Sequence, residues 1–215
     1  MSVKNELQNI ISGNGTVRFG ETIQAITSYL DGEKTAIPEA EKAEFDKEQE
    51  GKILIKYIEE HSLWYALLEP SNYIGEGAEQ KVFEAASPEF IVKVNDGIFY
   101  AFWTDYFHSI LIHNYYFPHL AYELLGFQME GEKLSAIVKQ AFVKSTEPTD
   151  LRNVREFMLA NGFVVKKNND YFHPELGLIL EDLHDENVLT SDGVLQFIDT
   201  VFFQTPDFYR SEKEC

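Results

Sequence analysis

Cysteine is almost missing from this chain: of 215 residues only Cys215, the last, carries a thiol. That excludes an intramolecular disulfide and any cysteine-based zinc site. The six histidines are scattered, without HExxH spacing. Basic side chains are scarce, 18 Lys and Arg against 36 Asp and Glu, for a formal net charge of −18 and no Lys/Arg run. Such a chain repels polyanions at long range, so no direct binding to nucleic acid or to an anionic membrane is expected. No stretch approaches the length of a membrane span, and MSVKNELQNI lacks the apolar core of a signal peptide. A cytoplasmic protein is the expectation. Internal repeats and low-complexity tracts are absent too. What is present is a globular content of apolar residues, 44%, and aromatic residues, 14%. The length suits one medium domain, or one with an appendage.

The first fifty residues read as helical. NELQNII and ETIQAITSYL have helical spacing, with Ile23, Ile26 and Leu30 on one face. SGNGTVRFG between them lacks the Gly-Lys-Ser/Thr ending of a phosphate loop and reads as a helix-to-helix turn. PEAEKAEFDKEQEG is expected to form an acidic helix, with Pro38 in its first turn and Gly51 near an end. A further helix follows in KILIKYIEEHSLWYALLEP, with Ile53, Ile55, Tyr57, Ile58 and Trp64 mostly inward. From residue 70 the period changes. Three short strands are expected around residues 73–75, 81–85 and 90–94, then a helix carrying Trp103, Phe107, Ile110, Leu111 and Phe117 and stopped by Pro118. A hairpin follows, 122–128 and 134–140, turned by Glu130-Gly131. Thr149-Asp150 opens a helix that stops near Gly162, two strands flank Asn168-Asn169, and Ser191-Asp192-Gly193 turns between 188–189 and 194–198.

The chemistry concentrates in EDLHDENVLT and FIDT. Asp182 and Asn187 lie on a loop between apolar segments that fix it, and Asp199 ends a strand close enough to return beside Asn187. An Asn carbonyl and a carboxylate are hard oxygen ligands that suit Mg²⁺, leaving Asp182 to orient or deprotonate a hydroxyl. Upstream, Gly75 and Gly77 sit in a turn between strands where backbone N–H groups can approach phosphate. Lys93 lies in the apolar strand IVKV, and an inward Lys needs an anionic partner. Each residue alone has a duller reading: hairpin glycines, a snorkelling lysine, turn-forming Asp and Asn. Their joint order and spacing favour the site. His113 and Asn114 read as a buried polar pair, His184 as a brace for the loop, and the Tyr and Phe excess as core filling.

These stretches resemble the protein-kinase and aminoglycoside-phosphotransferase superfamily: GEGAEQKV the Gly-rich loop, IVKV the strand-three lysine motif, DLHDEN the catalytic loop, IDT the metal-binding Asp motif. More closely, GAEQKVF, IHNYYFP, ELLGF, LEDLHDENVL and FIDTVFF are similar to the compact kinase-like domain of polyvalent proteins, a family encoded by phages and conjugative elements. The resemblance implies an α+β, protein-kinase-like fold. The N-terminal helical extension over 1–50 would then precede an antiparallel five-stranded N-lobe with one helix over 51–140 and a reduced C-lobe over 141–215. The resemblance further implies a phosphotransferase using ATP and Mg²⁺. Gly75 and Gly77 would cover the phosphates and Lys93 grip them, Asp182 would be the catalytic Asp, Asn187 and Asp199 would hold the metal, and 139–142, with Gln140, would be the hinge facing adenine, offering backbone hydrogen bonds. The acceptor would be a small molecule or a protein.

Departures from the family pattern bear on this. Gln80 stands where the third Gly belongs, and the helix after the Lys93 strand has no Glu, only Asp105. Sixteen residues follow Asp199, too few for a full activation segment and a peptide-binding half. The alternative is therefore a kinase-shaped binding module without phosphotransfer, acting through a protein partner on the acidic N-terminal helices.

Overall fold

The computed structural model describes residues 2–38, 42, 45–66, 68–77 and 80–210. Ala78-Glu79 of the Gly-rich turn, residues 39–41, 43 and 44 of the acidic stretch, and Cys215 lie outside the described residues. Among the described residues the architecture is α+β, with antiparallel sheets and five α-helices.

Three helices come first: α1 (Val3–Ile11), α2 (Glu21–Ala36) and α3 (Lys47–Glu60). The GNG segment is the expected turn between α1 and α2, with Gly13 at φ 77°, in the left-handed region that glycine adopts freely. The third helix departs from the sequence expectation. It starts at Asp46, whose carboxylate accepts from the Gln49 N–H at 2.9 Å in a capping box. It then runs through Gly51 as one helix to Glu60. Gly51 does not punctuate it; the position lies inside the helix against the Trp103 indole, where a Cβ would make an ordinary contact at 3.6 Å. Trp64 is not on this helix but pairs with Phe127, and is exposed.

The next elements follow the period change. Strands β1 (Tyr73–Glu76), β2 (Gln80–Glu84) and β3 (Phe90–Asn95) precede α4 (Trp103–Tyr116), and β4 (Glu123–Glu130) and β5 (Lys133–Ala141) follow it. They form one antiparallel sheet in the order β1-β2-β3-β5-β4. The register Val82↔Lys93↔Val138 puts these side chains on one face, toward α4 and the cleft described below. The N-terminus of α4 is capped from outside the helix. Glu50 of α3, buried, accepts from the Trp103 N–H and from the Thr104 hydroxyl at 2.6 Å. Helices α1 and α2 bury Leu7, Ile10, Ile23, Ile26 and Leu30 in the same core as Phe107 and Leu111 of α4. Glu6, Glu21, Asp31 and Glu33 stay exposed on their outer faces.

After α5 (Leu151–Ala160), whose N-cap is Asp150, come β6 (Val164–Lys167), β7 (Asp170–His173) and β8 (Leu178–Glu181). The hairpin β9 (Val188–Ser191) and β10 (Val194–Phe197) follows, then β11 (Val201–Gln204). Strand β11 has no counterpart among the sequence expectations. It closes a four-stranded sheet in the order β11-β8-β7-β6. Among the described residues, no helix is long and apolar enough to cross a membrane.

Candidate active site

The loop after β8 is pinned by its apolar residues. Leu183 and Val188 are fully buried, and the Leu183 N–H donates to the Asn169 carbonyl at 3.2 Å. Between these anchors Asp182 takes φ 65°, a left-handed conformation that Asp tolerates better than most residues. Its N–H donates to the Asp170 carboxylate at 3.1 Å. The Asn187 amide nitrogen donates to the Asp182 carboxylate at 3.1 Å and to its carbonyl at 2.9 Å. His184 braces the loop: Nδ1 accepts from the Glu186 N–H at 3.2 Å, which puts the proton on Nε2, 3.3 Å from the Asp182 carboxylate.

The same Asn187 ties this loop to the strand end that carries Asp199. Its carbonyl accepts from the N–H groups of Ile198 and Asp199 at 3.0 and 3.2 Å. Asp182, Asn187 and Asp199 therefore converge on one cleft of about 490 Å³, with Gly77 and Gln80 over it. Strands β8 and β11 build its floor by alternation. Glu181 and Val201 pair and face the cleft, while Leu180 and Phe202 pair and face the other way. Asp170, Glu181 and Glu186 add carboxylates to the lining, and no Lys or Arg is among its described residues.

Lys93 stands behind this wall. It is 2% exposed. Its ammonium donates to the Ile198 carbonyl at 2.9 Å and to the Tyr122 hydroxyl at 3.5 Å, and lies 3.9 Å from the Asp199 carboxylate. Tyr122 donates to the same Ile198 carbonyl at 2.8 Å. Burial first, and then the Asp199 charge, hold its hydroxyl well above the ordinary phenol range, so it remains a donor. Thr200 donates to Nδ1 of His113 at 2.7 Å, and His113 Nε2 donates to the Leu120 carbonyl at 3.1 Å. Burial pushes this imidazole down to about 3, so it is neutral. Asn114 bonds both the N–H and the carbonyl of Tyr122, completing the buried polar pair expected at 113–114.

Two candidates stand apart. Gly75 lies within β1 and does not line the cleft. The Gln140 side chain is turned inward, 1% exposed, and donates to the Leu120 carbonyl at 2.8 Å. Asp105, the acid weighed for Lys93 from the sequence, is engaged elsewhere, and so is Glu123 at the start of β4. Asp105 accepts from the Phe102 N–H at the start of its own helix, and Glu123 pairs with Lys139 at 2.5 Å. Sequence reasoning passed over Tyr122, filed under core aromatics, and the contact of Gln80 with the Asp199 carboxylate. The missing third glycine was the one available signal for Gln80.

Fold and cleft together define a kinase-like protein. Residues 47–205 match the family described as serine/threonine/tyrosine kinase found in polyvalent proteins, and the chain belongs to that family. No curated protein and no solved structure matches it.

Proposed function

We propose that the chain is an ATP-dependent phosphotransferase that moves the γ-phosphoryl group of Mg-ATP to a hydroxyl of a small molecule or a protein. The observation that carries this reading is the convergence of Asp182, Asn187 and Asp199 on one cleft, with Lys93 fixed against the strand end bearing Asp199. In this reading β1–β5 with α4 act as the N-lobe, the segment from residue 141 as a reduced C-lobe, and α1–α2 as an extension.

The donor set fits the metal. Asn187 and Asp199 offer hard oxygens, and the Asn187 amide makes its hydrogen bonds through nitrogen, leaving Oδ1 as the ligand atom. Among the described residues, no group of three or more His, Cys, Asp or Glu forms a complete metal cage. That suits Mg²⁺, which keeps water and phosphate oxygens in its shell. When bound, the ion would neutralise charge on the phosphates. The protein's own part is positioning. Lys93 would lend the phosphates its charge from behind the strand end that bears Asp199, Gly77 would admit them beside β1, and Asp182 would take the acceptor's proton. As that proton leaves, the acceptor oxygen bonds to the γ-phosphorus and the bond to the β–γ bridging oxygen breaks, its electron pair departing with ADP.

Titration of a slowly hydrolysed ATP analogue, with and without Mg²⁺, tests the reading. Mg-dependent binding in the wild type that Asp199→Asn abolishes is expected. Absence of binding in a folded sample would overturn it. One observation favours a second reading, a binding module without phosphotransfer. The Gln80 amide sits on Asp199 and the Asn187 amide on Asp182, so the site's polar groups satisfy one another. A stable protein partner on the acidic outer faces of α1 and α2, with no phosphorylated product, would support that alternative.

A further inference from the structure

A buried ammonium needs partners that remain when a ligand arrives. In a kinase that partner is a carboxylate on the helix packed beside the sheet. Here α4 offers none, because Asp105 is spent on its own helix start, and Glu123 is held by Lys139. We infer that Tyr122 takes the part of the helix carboxylate, its hydroxyl and ring holding the Lys93 ammonium against the Ile198–Asp199 segment.

The geometry supports each half of that statement. The Tyr122 hydroxyl has one proton, directed to the Ile198 carbonyl at 2.8 Å with the Asp199 carboxylate at 3.4 Å as second acceptor, so toward the Lys93 ammonium at 3.5 Å its oxygen acts as acceptor. The Lys93 ammonium also lies 5.2 Å from the centre of the Tyr122 ring, within the range of a cation–π contact. The tyrosine cannot drift, since Asn114 brackets its backbone and His113 packs on its ring at 4.6 Å. The difference from a carboxylate is charge. A phenol positions Lys93 without neutralising it, and Asp199, 3.9 Å away, is a nearby counter-charge. When a nucleotide enters, Asp199 can turn to the metal while Tyr122 and the Ile198 carbonyl keep Lys93 in place. Tyr122 is thus a positioning residue that acts through Lys93. Its consequence for nucleotide affinity rests on the function proposed above; its hold on Lys93 does not.

Two measurements on the full chain separate those parts. In the metal-free, nucleotide-free protein, NMR of ¹⁵N-labelled lysine follows hydrogen exchange at the Lys93 ammonium, with Lys93→Met assigning the signal. Tyr122→Phe keeps the ring and is expected to speed that exchange several-fold while the melting curve stays cooperative. Unchanged exchange would overturn the inference, whatever the nucleotide does. Calorimetry with the Mg-bound, slowly hydrolysed ATP analogue then compares the wild type, Tyr122→Phe, Lys93→Met and the double variant. About tenfold weaker binding in Tyr122→Phe is expected, with no further loss when Lys93 is already Met. Equal affinity for Tyr122→Phe and the wild type, or two losses that simply add, would overturn the positioning role. A wild type that binds no nucleotide would sink the proposed function, and the exchange result would still decide the contact.

Discussion

The two ends of the cleft are built on different terms. Lys93 is enclosed at one end, with hydrogen-bonded neighbours Tyr122 just before β4 and Ile198 just after β10, while behind it His113 packs on the Tyr122 ring and bonds Thr200. At the other end the Asp182 side chain is 56% exposed, on a turn held from beneath by Leu183 and from the side by Asp170. The enclosed end belongs to the core, so a change there acts on stability and ligand together. The open end faces solvent, so a change there can act on chemistry alone.

The sharpest test of that contrast is Asp182→Asn, which keeps a residue tolerant of the left-handed conformation while removing the carboxylate proposed as the base. Turnover should fall about a thousandfold, with nucleotide affinity and melting midpoint close to wild type. A large loss of stability would break the comparison. Asp199→Ala, which touches both ends, should weaken Mg-nucleotide binding by about a hundredfold in a titration. It should also lower unfolding stability by about 3 kcal/mol, because the enclosed Lys93 loses its counter-charge. Equal stability of the two proteins in denaturant would mean that Lys93 is less dependent on Asp199 than the geometry implies.

Farther from the cleft, Glu50→Ala should cost about 2 kcal/mol by uncapping α4. Burial raises the Glu50 carboxyl above its ordinary value, against the opposing hydrogen bonds from Thr104 and Trp103. Its contribution to stability is therefore fully present below the ordinary glutamate range and is lost as pH rises through the raised folded value. Glu50→Gln does not titrate, so melting curves across that window should show the wild type losing ground to it as pH increases. Thr200→Val should cost about 1 kcal/mol in denaturant titration, by leaving His113 Nδ1 without its donor. The smallest effect is expected for Gln80→Gly. It restores the third glycine of the wider kinase motif and frees Asp199, and Mg-nucleotide affinity should improve about threefold, a gain of about 0.6 kcal/mol at the low end of what one hydrogen bond contributes.

The sequence made much of this legible where local chemistry decides. The change from helical to strand period at residue 70, the stop at Pro118 and the turns at Gly131 and Asp192-Gly193 all lie where expected. Asp182, Asn187 and Asp199 were brought together in prospect because apolar neighbours on both sides left their loops little freedom. What was not legible depended on contacts between distant elements. Gly51 looks like punctuation until the Trp103 indole is placed against it. Gln140 reads as a hinge residue offering its backbone, and nothing in the sequence shows that its side-chain amide is spent on the Leu120 carbonyl. Tyr122 carries no spacing signal, because a tyrosine that packs and a tyrosine that holds a lysine have the same neighbours in sequence.

The crossing of Trp64 with Phe127 has a consequence for solubility. A five-stranded open sheet has two edges, here β1 and β4, and an unguarded edge is a template for another chain. Beside β4 runs the segment around Trp64. Tyr65 donates its N–H to the Phe127 carbonyl at 2.7 Å, and Phe127 donates back to Leu63 at 2.9 Å. The approach is so close that a Cβ on Gly126 would collide with the Leu63 carbonyl. Strand β1 is protected differently, by its four-residue length and an irregular register between Tyr73 and Gly75. A substitution at Gly126 would therefore expose the longer edge, and self-association would appear alongside any loss of stability.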